Sequence, residues 1–129
     1  MNLKENLTGL EHVGIPTADL DKTIAFYKSL GFAAILRTNI PNGGKVAFLQ
    51  LGNVVIETYE SADAAGRPGA IDHLALKARD IEAAFASVQA LGYELASDGI
   101  EFLPFCEKGV RFFTFYGPNR EKIEFSQIQ

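Results

Sequence analysis

The chain contains 129 residues, of which 47% are hydrophobic and 22% are charged, and it carries a net charge of −4. This length and composition provide enough apolar material for one packed domain spanning residues 1–129. Lys and Arg form no cluster, which argues against nucleic acid or an anionic membrane as a partner. No apolar run approaches the roughly 20 residues of a membrane span. Because the lone Cys106 allows no internal disulfide, we expect a cytoplasmic protein.

The sequence contains an internal repeat. The hexapeptide LEHVGI at 10–15 matches IDHLAL at 71–76, and the correspondence continues without a gap for about 20 residues at an offset of 61. The offset then grows to 65 and 67 in later segments, which places the insertions in loops. We therefore predict two copies of one βαβββ unit, at about 8–60 and 70–128, within a single α+β domain.

The first half begins with a predicted strand at 12–15, after which Asp19 can cap a helix. The apolar residues of that helix recur at helical spacing and predict one buried face: Leu20, Ile24, Tyr27 and Leu30. Gly31 is expected to end the helix, because glycine adopts left-handed backbone angles cheaply. Three strands should follow, separated by the turn sequences PNGG and GN: 33–38, 46–51 and 54–59.

The second half has the same predicted order. A strand at 73–77 leads to Asp80 as the cap of a second helix, which should end at Gly92. Its apolar face is predicted to contain Ile81, Ala84, Phe85, Val88 and Leu91. Three further strands are predicted, separated by turns that contain DG and GPN: 94–97, 110–116 and 122–127.

Two aromatic residues also correspond within the repeat. At the offset of 65, the stretch 46–48 matches 111–113, so Phe48 is paired with Phe113. The sequence leaves open whether these rings belong to the core or to the wall of a pocket.

The chain has only two histidines, His12 and His73, and both occupy the same position of the repeat. Glu57 and Glu124 likewise occupy equivalent positions in the last strand of each half, within apolar surroundings. Side chains alternate between the faces of a strand. If the neighbouring Ile residues face the helices, both carboxylates lie on the opposite side of the sheet, where the two histidines can join them.

Two carboxylates that meet in the concavity of a curved sheet would repel each other unless a cation lies between them. Two imidazoles and two carboxylates form a donor set that suits Ni, Zn, Co, Mn or Fe, and the absence of thiolates disfavours a purely structural zinc site. We therefore predict that His12, Glu57, His73 and Glu124 bind one divalent metal ion. The alternative is a pocket without metal that binds a small molecule.

The chain resembles the vicinal oxygen chelate superfamily, which includes glyoxalase I, methylmalonyl-CoA epimerase, extradiol dioxygenases and drug-resistance proteins. The residues that carry the resemblance are LEHVGIPTADLDKTIAFYKSLGF, VVIETYE, IDHLALKARDIEAAFASVQALGY and FYGPNREKIEF. The resemblance covers nearly the whole chain. It implies paired βαβββ modules that form a curved mixed sheet around an open metal site, usually in a homodimer.

Within the superfamily, glyoxalase I proteins are similar to this chain at all four ligand positions, and ILRTNIPNGGKVAF resembles the corresponding part of the bacterial enzymes. Extradiol dioxygenases use a further histidine, which this chain lacks. Thiol transferases of the fosfomycin-resistance type have no ligand that matches Glu57, and epimerases commonly have Gln there. After Glu57 the chain lacks the Asn and Trp that follow the equivalent glutamate in bacterial glyoxalase I, and it shows no evident glutathione clamp. Whether the substrate contains glutathione or another thiol is therefore left open.

The resemblance implies a lactoylglutathione lyase-like enzyme that moves a proton on a hydroxycarbonyl, hemithioacetal-like substrate through a metal-bound enediolate. It implies that Glu124 is the general base and that Glu57 serves the opposite face of the substrate. Two alternatives remain, a metal-dependent epimerase of the methylmalonyl-CoA type and a metal-free binding or resistance protein. The four ligands can come from one chain or from two chains of a dimer.

Overall fold

The computed structural model describes residues 2–129. Its elements in chain order are α1 Leu3–Asn6, β1 Val13–Thr17, α2 Leu20–Ser29, β2 Ala33–Asn39, β3 Lys45–Leu51, β4 Val54–Glu60, β5 His73–Lys77, α3 Ile81–Leu91, β6 Glu101–Leu103, β7 Val110–Tyr116 and β8 Lys122–Ile128. Within residues 2–129, no helix combines the length and apolar character that crossing a membrane requires.

The chain forms two compact units that divide between Ala64 and Ala65. The first contains a sheet with strand order β1-β4-β3-β2, and the second a sheet with order β5-β8-β7-β6. In each sheet the first two strands are parallel and the other neighbours are antiparallel. Each unit is therefore one βαβββ module with a mixed sheet, which confirms the predicted α+β fold class of paired βαβββ modules.

In the first unit, helix α2 covers one face of the sheet. The Asp19 side chain accepts a hydrogen bond from the backbone N–H of Lys22 (3.1 Å) and caps the helix, as predicted. Leu20 and Tyr27 of the helix are fully buried. Removing such side chains from water supplies most of the free energy that holds a helix on a sheet.

In the second unit, helix α3 is positioned in the same way. Asp80 accepts a hydrogen bond from the backbone N–H of Ala83 (3.0 Å), and Gly92 ends the helix with left-handed angles (φ 79°, ψ 20°). Ile81 and Val88 are the helix residues that are most deeply buried. Both predicted helix boundaries are therefore confirmed here.

The predicted strand at 94–97 is wrong, because the edge strand of the second unit is β6, at Glu101–Leu103. Residues 94–97 make a few backbone hydrogen bonds to β7, such as that from the N–H of Ala96 to the carbonyl of Thr114 (2.8 Å), but form only an isolated bridge, between Leu95 and Phe115. The hydroxyl of Ser97 accepts a hydrogen bond from the backbone N–H of Thr114 (3.1 Å) and donates one to the carbonyl of Gly99 (2.9 Å). This side-chain bonding replaces part of the backbone ladder, so the edge strand is interrupted before it resumes in β6.

Helix α1 is an element that the sequence analysis did not predict. The Asn2 side chain accepts from the backbone N–H of Glu5 (2.9 Å), and the Glu5 carboxylate accepts from the backbone N–H of Asn2 (3.3 Å). This reciprocal pair is a capping box, which allows a helix of only four residues to form.

The predicted correspondence between Phe48 and Phe113 in the repeat is also wrong, by one residue. Phe48 lies opposite Glu57 in the first sheet, whereas Thr114 lies opposite Glu124 in the second. Because successive side chains of a strand point to opposite faces, this slip reverses the direction of the ring. Phe113 is fully buried in the core, while Phe48 lies on the face that carries Glu57.

Candidate metal centre

The first unit brings His12 and Glu57 together. In β4, Ile56 and Thr58 are fully buried on the helix side, so Glu57 between them lies on the other face, where its side chain is 30% exposed. Gly14 lies beside Glu57 in the parallel pairing of β1 with β4, and His12 precedes it by two residues. The Nε2 atom of His12 is 3.8 Å from Oε1 of Glu57. We refer to these two residues as the first pair.

The second unit brings His73 and Glu124 together in the same manner. Ile123 of β8 is fully buried, and Glu124 next to it lies on the opposite face with its side chain 18% exposed. Nε2 of His73 is 3.6 Å from Oε1 of Glu124. We refer to His73 and Glu124 as the second pair. The face on which each glutamate lies is therefore as the alternation of side chains predicts.

Each histidine also makes a contact that the sequence analysis did not identify. Nδ1 of His12 lies 3.1 and 3.0 Å from the two carboxylate oxygens of Glu11, and Nδ1 of His73 lies 2.9 Å from Oδ2 of Asp72. Nζ of Lys122 in turn donates to Oδ1 of Asp72 at 3.3 Å. The signal that could have identified these contacts is an acidic residue directly before each histidine, at the same offset of 61.

These contacts change the proton affinities of the groups involved. The pKa of His12 is raised above its ordinary value of 6.5, chiefly by the hydrogen bond to Glu11, with smaller contributions from the charges of Glu11 and Glu57 and an opposing effect of burial. The pKa of Asp72 is lowered from 3.8, first by the hydrogen bond from His73 and then by that from Lys122. Hydrogen bonds to the charged form are thus the main cause of both shifts.

The surroundings of the two pairs differ. The ring of Phe48 packs edge-on against His12, with the ring centroids 5.7 Å apart. The residue at that position of the second sheet is Thr114, which has no ring, and Lys122 lies beside His73 instead. The first pair therefore has an apolar neighbour, and the second pair has a cationic one.

The spacing of the two donor atoms within each pair suits a divalent metal ion. Two ligand atoms that are each about 2.1 Å from one ion at a tetrahedral angle lie roughly 3.4 Å apart, close to the spacing within both pairs. Each Nε2 is too far from its carboxylate for a normal hydrogen bond, so this atom is not engaged by the glutamate. Among residues 2–129, no three or more His, Cys, Asp or Glu side chains lie together in a group suited to a metal ion. Each unit presents one His–Glu pair.

The fold is shared with solved structures of low sequence identity. The glyoxalase family protein from Enterococcus faecalis is 24% identical, with a TM-score of 0.78 over 94% of this chain and 98% of that one. The fosfomycin resistance protein FosX from Listeria monocytogenes, solved with Mn(II) and sulfate, is 20% identical, with a TM-score of 0.74 over 95% and 94%. A glyoxylase/bleomycin resistance protein/dioxygenase domain from Frankia sp. EAN1pec is 16% identical, with a TM-score of 0.77 over 95% and 99%.

No curated protein matches the sequence.

The comparison with protein families, by contrast, gives a match that extends over most of the chain. The family described as the Glyoxalase/Bleomycin resistance protein/Dioxygenase superfamily matches residues 11–114, which include three of the four proposed ligands. Together with the two βαβββ modules, this match shows that the chain belongs to the glyoxalase/bleomycin resistance protein/dioxygenase superfamily.

Proposed function

We propose that this protein is a metal-dependent lyase or isomerase of the glyoxalase I type. Its substrate would be a small hydroxycarbonyl compound, such as the hemithioacetal of a thiol and a 2-oxoaldehyde. The observation that carries the proposal is the recurrence of one His–Glu pair in both units, with Nε2 to Oε1 distances of 3.8 and 3.6 Å. A single pair has many explanations, but two pairs at equivalent positions favour a shared ligand.

The proposal assigns both pairs to one divalent ion, which would be Ni, Zn, Co, Mn or Fe. Two imidazoles and two carboxylates satisfy the ligand preferences of all five. The Mn(II) in the FosX structure supports a divalent ion in a protein of similar fold. We further propose a cytoplasmic homodimer, in which the two pairs of a site come from one chain or from both.

The chemistry assigns separate roles to the two glutamates. A bound ion would act as a Lewis acid that makes the C–H bond next to a carbonyl group more acidic. Glu124 would accept that proton and return it to the neighbouring carbon, because its side chain is the more shielded from water, at 18% exposure against 30% for Glu57. Glu57 would serve the opposite face of the substrate.

The metal proposal is tested by elemental analysis of the purified protein. We expect about one divalent ion per chain in the wild type and a large loss in the Glu57→Gln and His73→Ala variants. Added Ni, Zn, Mn or Co should raise the melting temperature of the metal-free wild type but not that of the variants, because binding to the folded state alone stabilises it. No bound metal and no stabilisation by any of the four would overturn the proposal in favour of a metal-free binding protein.

The catalytic proposal is tested by turnover of hemithioacetals prepared from several thiols in deuterated water. Assayed with metal in excess, Glu124→Gln should lower kcat by at least about 100-fold, the lower range for removal of a general base, while the fold persists. Undiminished turnover in Glu124→Gln would contradict its assigned role. Deuterium exchange into an acyl thioester without rearrangement of bonds would indicate an epimerase instead.

A further inference from the structure

Each proposed histidine ligand has a carboxylate on the ring nitrogen that faces away from its glutamate. Nδ1 of His12 is within 3.1 Å of both oxygens of Glu11, and Nδ1 of His73 is 2.9 Å from Asp72. On the other side of the rings, Nε2 faces Glu57 in the first unit and Glu124 in the second. Both imidazoles therefore lie between two carboxylates, in the same orientation.

This contact is not the default for neighbouring residues. In an extended strand, adjacent side chains point to opposite faces and do not meet. Glu11 and His12 lie just before β1, and Asp72 lies just before β5, so both contacts fall where a strand begins and its regular alternation does not yet hold. Because the same contact occurs at equivalent positions of both units, it is a feature of the repeat rather than of one loop.

The chemistry of the contact selects one form of the ring. A carboxylate can only accept a hydrogen bond, so the nitrogen that faces it must carry the proton. In a neutral imidazole the lone pair then lies on Nε2, which is the atom available to a metal. Histidines that bind metals commonly donate their second N–H to a carboxylate, which fixes the ring and strengthens the ligand.

We propose that Glu11 and Asp72 are positioning residues that hold His12 and His73 with the lone pair of Nε2 directed at the metal ion. This inference rests on the proposed function, since it assumes that both histidines are ligands. The two residues are not equally restrained, because Asp72 also accepts from Lys122 at 3.3 Å, an arrangement with no counterpart at Glu11 among residues 2–129. Asp72 should therefore hold its imidazole more firmly.

The first experiment measures metal affinity by competition with a chelator, using Co²⁺ and Zn²⁺ separately. Glu11→Ala and Asp72→Ala should each raise the metal dissociation constant at least about 10-fold, the lower range for loss of such a contact. Glu11→Gln and Asp72→Asn should lose less, because an amide oxygen can still accept from Nδ1–H. Glu107→Ala, which removes the same charge from an exposed loop, serves as the matched control and should leave the constant unchanged.

The second experiment needs no metal. ¹⁵N NMR of the ring nitrogens in the metal-free protein, at a pH where both rings are neutral, should show the proton on Nδ1 in the wild type. Glu11→Ala should remove this preference at His12 alone, and Asp72→Ala at His73 alone. A residue that merely supports the fold would not move the proton within one ring.

The outcomes separate the two proposals. If the wild type binds metal but the alanine variants bind it as tightly as Glu107→Ala does, the positioning role is overturned and the metal site stands. If the NMR spectra show the proton on Nε2 in the wild type, the positioning role is overturned as well. If the wild type binds no metal, the proposed function fails, and this inference fails with it.

Discussion

At the scale of single residues, His12 shows how its neighbours tune one side chain. Its pKa is raised above 6.5, and the hydrogen bond to Glu11 is the largest cause. Because the folded-state pKa lies above the ordinary value, protonated His12 stabilises the metal-free fold below pH 6.5. That stabilisation is lost as the pH rises through the folded-state pKa.

We expect Glu11→Gln to lower the pKa of His12 in the metal-free protein towards 6.5, since the variant removes the negative charge that favours the imidazolium. An NMR titration of the His12 ring measures this shift directly. Glu107→Gln is the control and should leave the titration unchanged. A pKa that stays constant in Glu11→Gln would show that Glu57 or the backbone sets it instead.

Thr58 gives a second prediction at this scale. Its hydroxyl oxygen is buried on the helix side of β4 and has no hydrogen-bond partner in the described part of the chain. Leaving a buried hydroxyl without a partner costs about 1–3 kcal/mol. Thr58→Val keeps the shape of the side chain, so we expect the free energy of unfolding to rise by about 1 kcal/mol.

Denaturant unfolding of Thr58→Val checks this prediction, and Thr17→Val is the matched control. The hydroxyl of Thr17 is also buried, but it lies 2.8 Å from that of Thr23 and is hydrogen-bonded. We expect Thr17→Val to lower the free energy of unfolding by about 1 kcal/mol. The account of Thr58 is wrong if both valine variants destabilise the protein equally.

At the scale of elements, the last strand of each unit holds the start of the helix that precedes it in the chain. Glu60 of β4 accepts a hydrogen bond from the backbone N–H of Leu20 (3.2 Å), and Gln127 of β8 accepts from that of Ile81 (2.8 Å). Both residues occupy the same position of the repeat, 67 residues apart. Each therefore satisfies a helix N–H that has no partner within the helix.

We expect Glu60→Ala and Gln127→Ala each to lower the free energy of unfolding by about 1 kcal/mol, as for other lost helix caps. Glu60→Gln should retain most of the stability, because the amide oxygen can accept the same hydrogen bond. Thermal unfolding of the metal-free variants measures the effect. Equal losses in Glu60→Gln and Glu60→Ala would show that the carboxylate's charge, and not its hydrogen bond, stabilises the helix.

The elements also show where reasoning from sequence failed. Helices α2 and α3 and most strands are predicted to within a residue or two, because helical spacing and Gly-rich turns are local signals. The predicted strand at 94–97 is wrong, and β6 at Glu101–Leu103 is not predicted, because the hydroxyl of Ser97 bonds the neighbouring strand and interrupts the ladder. No periodicity in the sequence reports such a bond.

At the scale of the whole molecule, the metal proposal requires both units. Two donors bind a divalent ion far more weakly than the four of a closed site. We therefore expect His12→Ala and His73→Ala each to lose the bound metal, although each variant keeps one intact pair. Elemental analysis after dialysis measures this loss, and it would be contradicted if either variant kept its metal.

Mixing these two variants as a refolded heterodimer separates the two possible arrangements of the site. If each site takes one pair from each chain of the homodimer, half of the wild-type metal content returns, because one of the two sites then has all four ligands. If each site lies within one chain, no metal returns.

The sequence by itself determined the two modules, helices α2 and α3, and the face on which Glu57 and Glu124 lie, because repeat position and side-chain alternation follow directly from the order of residues. Only the tertiary structure decided that Thr114, and not Phe113, occupies the position of Phe48, and that Glu11 and Asp72 contact the histidines. The physical reason is that alternation fixes a face within one strand. The register between strands depends on hydrogen bonds between residues that are distant in the chain. The contacts of Glu11 and Asp72 join neighbouring residues, and they depend on the backbone conformation where each strand begins.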